Sequence, residues 1–362
     1  MSKILIVTNH SYMLYRFRKE LIQALLLNHD VIISTPFVGH QEDLEKMGCR
    51  LIKTDVNRRG INPSEDLKLL KTYKSILKKE KPDKVITYSI KPNIYMGLAC
   101  RFNKIPYYVN VQGLGTAFQN KKLATFVTFL YRTALKKAET VFFENTANAM
   151  EFIDRNILKE SDITVLSGAG INLKEYEYVQ YPETAEKHFL YLGRIMKEKG
   201  MDEFMEAAVR IKEEYGDKVV IDMVGFFEDE YKETVESLSD KQLINFHGFQ
   251  KEPRPYYAMA NCVVMPSYHE GLSNVLLEAE AMGRPVITSD IPGCRETVVD
   301  GKTGYLCEVK NAEMLYEKMK QVMESTLIEL KIMGMEARNY VEHNFNKDDV
   351  VKATMKALEL EY

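Results

Sequence analysis

The sequence has no apolar run that approaches the roughly 18 residues of a membrane-spanning helix, which argues against an integral membrane protein. Its amino terminus lacks the small-residue cleavage site of a signal peptide, and residues 4–7 predict a first buried strand instead. The five cysteines form no C-x-x-C pair, so neither a metal motif nor a redox motif is present. We therefore expect reduced thiols in a cytoplasmic protein.

Further absences narrow the possible functions. No G-x-G-x-x-G follows a strand, which argues against an NAD-dependent dehydrogenase. The basic residues are not interleaved with aromatics as in a base-stacking surface, and no nucleic-acid module is recognisable. No repeat of 20–50 residues appears. What remains is a globular protein, since 45% of the residues are hydrophobic and 28% are charged.

The chain has 362 residues, which fits two domains better than one core. Its net charge of −3 hides a strong asymmetry between the halves. Residues 1–180 carry 27 Lys and Arg against 18 Asp and Glu, a balance of +9, whereas residues 181–362 carry 22 against 34, a balance of −12. A basic half predicts an anionic partner, such as a phospholipid surface, a lipid-linked diphosphate or nucleic acid.

Short aliphatic runs alternate with amphipathic segments, which predicts parallel sheets with crossover helices. The predicted strands of a first series are 4–8, 31–35, 50–54, 84–88, 107–111 and 140–143, and those of a second are 188–193, 219–225, 244–248, 262–266 and 285–289. We therefore predict two doubly wound α/β domains, 1–180 and 181–345, with a cleft between them. In such sheets ligands bind at the carboxyl ends of the strands. A helix over 346–362 is expected to cross back to the first domain.

Two cations follow the first strand of the second series. That strand is predicted to end at Gly193, and Arg194 and Lys199 come before a helix that opens near Asp202. Arginine can bind two phosphate oxygens through its planar fork, and lysine supplies a compact charge. The pair could neutralise a diphosphate leaving group without a metal. The alternative is a solvated, charged loop.

Two glutamates lie eight residues apart across a predicted loop-to-helix junction. Glu270 precedes a helix that begins near Ser273, and Glu278 lies more than a turn inside it. The backbone N–H groups of Gly271, Leu272 and Ser273 would then point out of the helix N-terminus, where anions and sugar hydroxyls bind. Carboxylates removed from water need partners, which sugar hydroxyls provide. The alternative is a helix-capping Glu270 with a solvated Glu278.

These elements together resemble retaining glycosyltransferase family 4, whose members have the two-domain GT-B fold. The matching motifs are G-R-x-x-x-x-K-G over 193–200, E-x7-E over 270–278, A-x-G-x-P-V over 281–286 and D-G-x-x-G over 300–304. The resemblance covers essentially the whole chain, with its more specific motifs in the second domain.

The resemblance implies roles for individual residues. Arg194 and Lys199 would bind the donor diphosphate and stabilise charge on the leaving phosphate. Glu270 would position the donor sugar rather than act as a nucleophile, because retaining members are thought to react on the front face of the donor. Glu278 would accept hydrogen bonds from the ribose, and the nucleobase would meet the loop at Phe249. The implied donor-binding residues are Gly193, Gly271, Leu272, Ser273, Glu278 and Phe249.

The first domain departs from many relatives of this family. Residues 9–18, which include His10 and Arg18, replace the usual glycine-rich loop, and residues 110–118, which include Gln112 and Gly113, stand where many members carry a histidine. These forms resemble a subgroup that adds hexose or N-acetylhexosamine to polyprenyl-diphosphate sugars of bacterial surface glycans. The four named residues are candidates for the acceptor side, although His10 could equally be a histidine without a role.

Residues 121–138 form the most amphipathic segment. At 100° per residue its cations fall on an arc of roughly 160°. These cations are Lys121, Lys122, Arg132, Lys136 and Lys137. A basic amphipathic helix suggests peripheral attachment to an anionic leaflet. The alternative is an ordinary helix whose apolar face packs on the sheet.

The sequence thus predicts a retaining, metal-independent glycosyltransferase without a cofactor, on the cytoplasmic face of a membrane or in the cytoplasm. Its donor would be a UDP-sugar and its acceptor a lipid-linked polyprenyl-diphosphate saccharide. A nucleotide-sugar epimerase and a non-catalytic nucleotide-sugar binder are the alternatives. The E-x7-E motif together with Arg194 and Lys199 favours transfer.

Overall fold

The computed structural model describes residues 1–57, 62–115, 118 and 121–361, without the side chains of Lys121 and Lys122. It consists of two compact units. Unit 1 comprises Met1–Ala169 and Asp348–Tyr362, and unit 2 comprises Gly170–Lys347. The sequence places the domain boundary at 180. Residues 170–180 are part of unit 2 here, because Ile171 and Tyr176 are buried in its core.

The described strands are β1 (Lys3–Val7), β2 (Asp30–Thr35), β3 (Arg50–Lys53), β4 (Lys84–Tyr88), β5 (Tyr107–Val111), β6 (Thr140–Phe143), β7 (Ile163–Val165), β8 (Lys187–Ile195), β9 (Val219–Phe227), β10 (Asn245–Phe246), β11 (Cys262–Met265), β12 (Val286–Ser289) and β13 (Gly304–Cys307). The described helices are α1 (Ser11–Leu26), α2 (Gln41–Lys46), α3 (Pro63–Glu80), α4 (Ile90–Asn103), α5 (Lys121–Ala134), α6 (Thr146–Asp154), α7 (Met201–Tyr215), α8 (Lys232–Asp240), α9 (Arg254–Met259), α10 (Asn274–Ala281), α11 (Ala312–Glu324), α12 (Leu327–Asn344) and α13 (Lys347–Ala357).

Unit 1 is built on a parallel sheet of order β3-β2-β1-β4-β5-β6-β7. Its central strands β1, β4 and β5 are almost wholly buried, because both faces of a parallel sheet are covered. Helices α3, α4 and α5 supply side chains to the core on one face, and α1 and α13 supply side chains to the core on the other. Lys84 donates a hydrogen bond to the carbonyl of Leu358 at 2.7 Å, which fastens the carboxyl-terminal residues to β4.

Unit 2 has a parallel sheet of order β10-β9-β8-β11-β12-β13. The prediction of two doubly wound α/β domains is confirmed by these two sheets and their crossover helices. In each sheet the strand order reverses beside the first strand, β1 in unit 1 and β8 in unit 2. Ligands of such folds bind at the carboxyl edge near this reversal. Within the described ranges, no helix has the length and apolar character needed to cross a bilayer.

Candidate functional site

Strand β8 delivers the first candidate cation of unit 2. It runs to Ile195, two residues past its predicted end at Gly193, so Arg194 belongs to the strand. Gly193 lies opposite Gly225 of β9, where an added Cβ would lie 1.9 Å from the carbonyl oxygen of Gly193. Close contact between the two strands therefore requires glycine at 225. The Arg194 side chain is 42% exposed and donates to Glu228 at 2.7 Å.

The second cation lies on a short turn after β8. Lys197–Lys199 form a 3₁₀ turn that ends at Gly200, whose φ of +68° is left-handed. A Cβ at Gly200 would lie 2.0 Å from the carbonyl oxygen of Pro266, so only glycine permits this approach to the end of β11. The turn thereby brings Lys199 to the loop that carries Glu270.

Lys199 and Glu270 form an ion pair between these two loops. The Lys199 ammonium donates to Glu270 Oε1, and the side chains are only 12% and 13% exposed. Ser267 donates to the same oxygen at 2.9 Å. The alternatives of a solvated loop at Lys199 and of a helix cap at Glu270 are therefore not what the structure shows.

Helix α10 begins at Asn274, with Ser273 as its N-cap. The Ser273 amide donates to the carbonyl of Gly293 at 2.8 Å, so the expectation that this amide points toward a ligand is wrong for this conformation. The Ser273 amide is occupied because the loop around Gly293 passes close to it. Gly293 has a left-handed φ of +89°, and a Cβ added to Gly293 would lie 2.6 Å from the Gly271 carbonyl oxygen. The donor roles of Gly271 and Leu272 stay predictions.

Glu278 lies on the buried side of α10 and is 3% exposed, so the alternative of a solvated Glu278 is wrong. Tyr257 donates its hydroxyl hydrogen to Glu278 Oε2 at 2.9 Å. Burial of a carboxylate is costly unless it is hydrogen-bonded. The hydrogen bond from Tyr257 offsets part of this cost, and the ribose contact stays a prediction.

Two side chains that the sequence does not single out accompany this pair of glutamates. Burial, assisted by the nearby Lys310 ammonium, lowers the pKa of His269, which is adjacent to Glu270. Glu280 is fully buried two residues after Glu278, and within the described residues neither of its carboxylate oxygens has a hydrogen-bond partner. The only feature of the sequence that could have indicated the burial of Glu280 is its position between Ala279 and Ala281.

The loop that carries Phe249 is anchored by a buried carboxylate. Asp222 accepts a hydrogen bond from each of two histidines, His188 Nδ1 at 2.9 Å and His247 Nε2 at 2.8 Å. Burial alone would raise the pKa of Asp222, but the hydrogen bonds from these imidazoles outweigh it and the net pKa is lowered. Two residues after His247, the exposed Phe249 ring meets Phe226 edge to face, with centroids 5.9 Å apart.

Three of the candidate acceptor residues of unit 1 lie just after strands of its sheet, and Arg18 lies inside α1. His10 caps α1 by accepting from the Met13 amide at 3.4 Å. Arg18 is buried, where it donates to Glu144 at 2.7 Å. Gln112 and Gly113 are half-buried directly after β5. Thr116 and Ala117, from the same predicted run, lie outside the described residues.

Strain marks the position where the strand order of unit 1 reverses. Ser89 follows β4 with a φ of +76°, which is unfavourable for a residue with a side chain. Its hydroxyl donates to Asn9 Oδ1, at the end of the neighbouring β1, at 2.8 Å. Backbone strain of this kind is concentrated at functional sites. Among the described residues, no group of three or more His, Cys, Asp or Glu is arranged to hold a metal ion.

Two sequence families match the chain. The family described as Glycosyl transferases group 1 matches residues 174–340, and the family described as Glycosyl transferase 4-like matches residues 3–145. The first match contains Arg194, Lys199, Glu270 and Glu278.

Curated relatives span nearly the same length. An N,N'-diacetylbacillosaminyl-diphospho-undecaprenol alpha-1,3-N-acetylgalactosaminyltransferase of Campylobacter jejuni is 28% identical over 353 residues, with 92% of each chain covered. The capsular polysaccharide biosynthesis glycosyltransferase CapM of Staphylococcus aureus is 27% identical over 306 residues, with 80% of each chain covered.

Solved structures establish the fold class. Anabaena Alr3699/HepE, in complex with UDP and glucose, superposes with a TM-score of 0.80 at 16% identity, covering 99% of this chain and 100% of that one. A sucrose-phosphate synthase of Thermosynechococcus elongatus superposes with a TM-score of 0.78 at 19% identity, covering 99% and 98%. The prediction of a GT-B fold is thereby confirmed.

Proposed function

We propose that this chain, which is a glycosyltransferase, moves a hexose or N-acetylhexosamine from a UDP-sugar to a lipid-linked polyprenyl-diphosphate saccharide. In this proposal the anomeric configuration is retained, and no metal or other cofactor takes part. The observation that carries the proposal is the Lys199–Glu270 pair, held at the carboxyl edge of the unit 2 sheet with Arg194 on the adjacent strand.

The charges at this edge suit a nucleoside diphosphate. Arg194 and Lys199 supply two cations, which would stabilise negative charge on the leaving phosphate without a metal. Each cation is paired with a carboxylate, Glu228 or Glu270. A diphosphate entering the site would compete with these carboxylates for the cations. The UDP bound to Alr3699/HepE supports a uridine donor for a chain of this fold.

The acceptor assignment draws on the relatives and on charge. The C. jejuni relative is named for a diphospho-undecaprenol acceptor, and the S. aureus relative is named for capsule biosynthesis. Residues 1–180 carry a balance of +9, which favours an anionic lipid diphosphate. We assign the acceptor to unit 1, with His10, Arg18, Gln112 and Gly113 as candidate residues. Since Arg18 is buried against Glu144, its part is to position the site rather than to contact the acceptor.

A donor panel tests the proposal. The purified protein is incubated with UDP- and GDP-sugars and a polyprenyl-diphosphate saccharide, and nucleotide release and the anomeric configuration of the product are measured, with and without a chelator. We expect release from a UDP-sugar, an unchanged configuration and no effect of the chelator. An epimerase would convert the donor without release. Absence of both donor binding and release would reject the proposal.

Variants of the ion pair test the site itself. Lys199→Met and Glu270→Gln should each lower turnover by about 10²–10³-fold, the range measured when one group stabilising a transition state is removed. Lys197→Met is the matched control, because Lys197 lies on the same turn but its side chain is 68% exposed. Circular dichroism checks that each variant is folded. Near-normal turnover in both Lys199→Met and Glu270→Gln would refute the assignment.

A further inference from the structure

A lysine and an aspartate of unit 1 form a largely buried ion pair that the sequence does not single out. The Lys91 ammonium donates to Asp66 Oδ1 at 2.8 Å, and the two side chains are only 13% and 8% exposed. Lys91 lies in the first turn of α4, just after β4, and Asp66 lies in the first turn of α3. Crossover helices begin at the carboxyl edge of a parallel sheet, so the pair lies at that edge.

The pair also lies beside the point where the strand order of unit 1 reverses. β4 is the neighbour of β1 there. The hydroxyl of Ser89, two residues before Lys91, donates to Asn9 just after β1 at 2.8 Å. Ligands of doubly wound sheets bind at this position. Unit 2 has a comparable ion pair, Lys199 with Glu270, beside its own reversal.

The charge of Lys91 is only partly used inside the protein. An ammonium group has three N–H hydrogens, and Asp66 is the one hydrogen-bond acceptor of Lys91 among the described residues. A cation in the first turn of a helix is unfavourable, because the helix dipole makes that end positive, and the first turn of α4 has no acidic residue. Residues 84–138 contain nine Lys and Arg and no Asp or Glu. Lys91 therefore has hydrogens to donate in a region of positive charge, which suits an anionic ligand.

We infer that Lys91 binds the diphosphate of the acceptor, and that Asp66 holds the lysine in position before the acceptor binds. This inference rests on the proposed lipid-linked acceptor and names a residue of unit 1 that recognises it. The diphosphate oxygens would accept the remaining N–H hydrogens of Lys91. The Asp66 carboxylate repels the same diphosphate, so it lowers the affinity while it fixes the ammonium.

Binding of a short-chain, water-soluble prenyl diphosphate saccharide, measured by calorimetry without donor, tests Lys91 directly. Lys91→Met alone would leave Asp66 buried without a partner, which is strongly destabilising. Lys91→Met/Asp66→Asn removes both charges together, and thermal melting checks that it is folded. This double variant should bind the diphosphate about 10- to 100-fold more weakly than the wild type, the loss expected for a charge-assisted hydrogen bond. A prenyl glycoside of the same saccharide, which has no phosphate, should bind both proteins equally.

Two single variants distinguish ligand binding from structural support. Asp66→Asn keeps the ammonium and removes the competing carboxylate, so it should bind the diphosphate at least as tightly as the wild type. Lys78→Met is the matched control for charge, because Lys78 is exposed in the last turn of α3, at the other end of that helix from Asp66. Its affinity for the diphosphate should change by less than about twofold, since exposed charges at a distance are screened by salt.

Steady-state kinetics separate this inference from the proposed transfer. In the double variant the KM for the acceptor should rise about tenfold or more. The KM for the UDP-sugar should stay unchanged, because the candidate donor cations Arg194 and Lys199 belong to unit 2. If neither protein releases nucleotide but the wild type still binds the diphosphate more tightly than the double variant, the proposed transfer fails and the Lys91 site stands.

Three results would overturn the inference. The first is a folded double variant whose diphosphate binding equals that of the wild type, including no binding by either. The second is an Asp66→Asn variant that loses as much affinity as the double variant, because the ion pair would then serve only to support the structure. The third is an equal loss in Lys78→Met, since the overall charge rather than Lys91 would then determine binding.

Discussion

Glu280 provides the sharpest quantitative prediction, because its carboxyl group is wholly inside unit 2 and has no hydrogen-bond partner among the described residues. Burial raises its pKa well above the ordinary value of 4.5. The Thr303 side chain lies near enough to offset this in part, although it does not reach hydrogen-bond geometry with either oxygen. Two replacements separate the effect of the titrating carboxyl group from the effect of burying a polar side chain. Glu280→Gln keeps the polar shape and removes the titration, whereas Glu280→Met removes both.

The sign of the pH dependence follows from the direction of this shift. The folded state holds the proton of Glu280 more tightly than the unfolded state does, so the group costs least below the unfolded pKa of about 4.5. As the pH rises from there toward the folded pKa, stability falls by up to about 1.4 kcal/mol per pH unit. Glu280→Gln should therefore match the wild type near pH 4 and be more stable at pH 7.

Glu280→Met should be stabilised more than Glu280→Gln, relative to the wild type, at every pH. A buried polar group without a partner costs about 1–3 kcal/mol, and an apolar side chain of similar volume removes that cost. For a unit of this size each kcal/mol raises the melting temperature by roughly 2–4 °C. We therefore expect Glu280→Met to melt several degrees above the wild type already at pH 4 to 5, where Glu280→Gln does not.

Differential scanning calorimetry between pH 4 and 8 measures both effects. Glu317→Gln on α11 is the control, because Glu317 is exposed in the same unit. A pH-independent difference between Glu280→Gln and the wild type would refute the buried titration. A melting temperature of Glu280→Met at or below that of the wild type would show that the carboxyl group has a stabilising partner.

Two further predictions concern the framework of the candidate donor site. Gly200→Ala should destabilise the protein by about 1–3 kcal/mol and also lower turnover, because its Cβ would displace the Pro266 carbonyl and with it the turn that carries Lys199. Thermal melting measures the loss of stability, and nucleotide release measures the loss of turnover. A variant with unchanged stability and turnover would contradict the close approach of Gly200 to Pro266. Asp222→Asn should cost about 1–3 kcal/mol at pH 7. Since the pKa of Asp222 is lowered in the folded state, this difference should shrink as the pH falls below its ordinary value of 3.8. Chemical denaturation across pH tests this, and a difference that does not shrink below pH 3.8 would refute the lowered pKa.

The strands of both sheets could be predicted where their side chains are continuously apolar. β1 and β11 are buried on both faces, and such strands carry apolar runs that stand out from the helices around them. β7 has only three residues, and β13 begins at a glycine after a turn, so neither carries a run long enough to recognise. The sequence therefore predicts the architecture while it misses short strands at sheet edges.

The sequence predicts which loops of unit 2 meet at the candidate site, but it does not predict the contacts that their residues make. Because strands of one parallel sheet end at the same edge, Lys199 and Glu270 are expected near each other despite a sequence separation of 71. The occupied amide of Ser273 was not predictable, since it depends on the path of a separate loop around Gly293. Likewise, the burial of Glu280 follows from how α10 packs, which periodicity over eight residues does not resolve.

The two cations of the candidate donor site differ in solvent exposure, and this difference indicates different roles. Arg194 is 42% exposed, so a diphosphate arriving from solvent can reach its guanidinium and replace Glu228 at little cost in desolvation. Lys199 is 12% exposed and held by Glu270, which keeps the ammonium fixed before any ligand binds. A group fixed in advance needs no reorganisation when charge develops, and this is the property that lowers a barrier. We therefore assign capture of the donor chiefly to Arg194 and stabilisation of the leaving phosphate chiefly to Lys199. On this argument Arg194→Met should raise KM more than it lowers kcat, while Lys199→Met should act mainly on kcat.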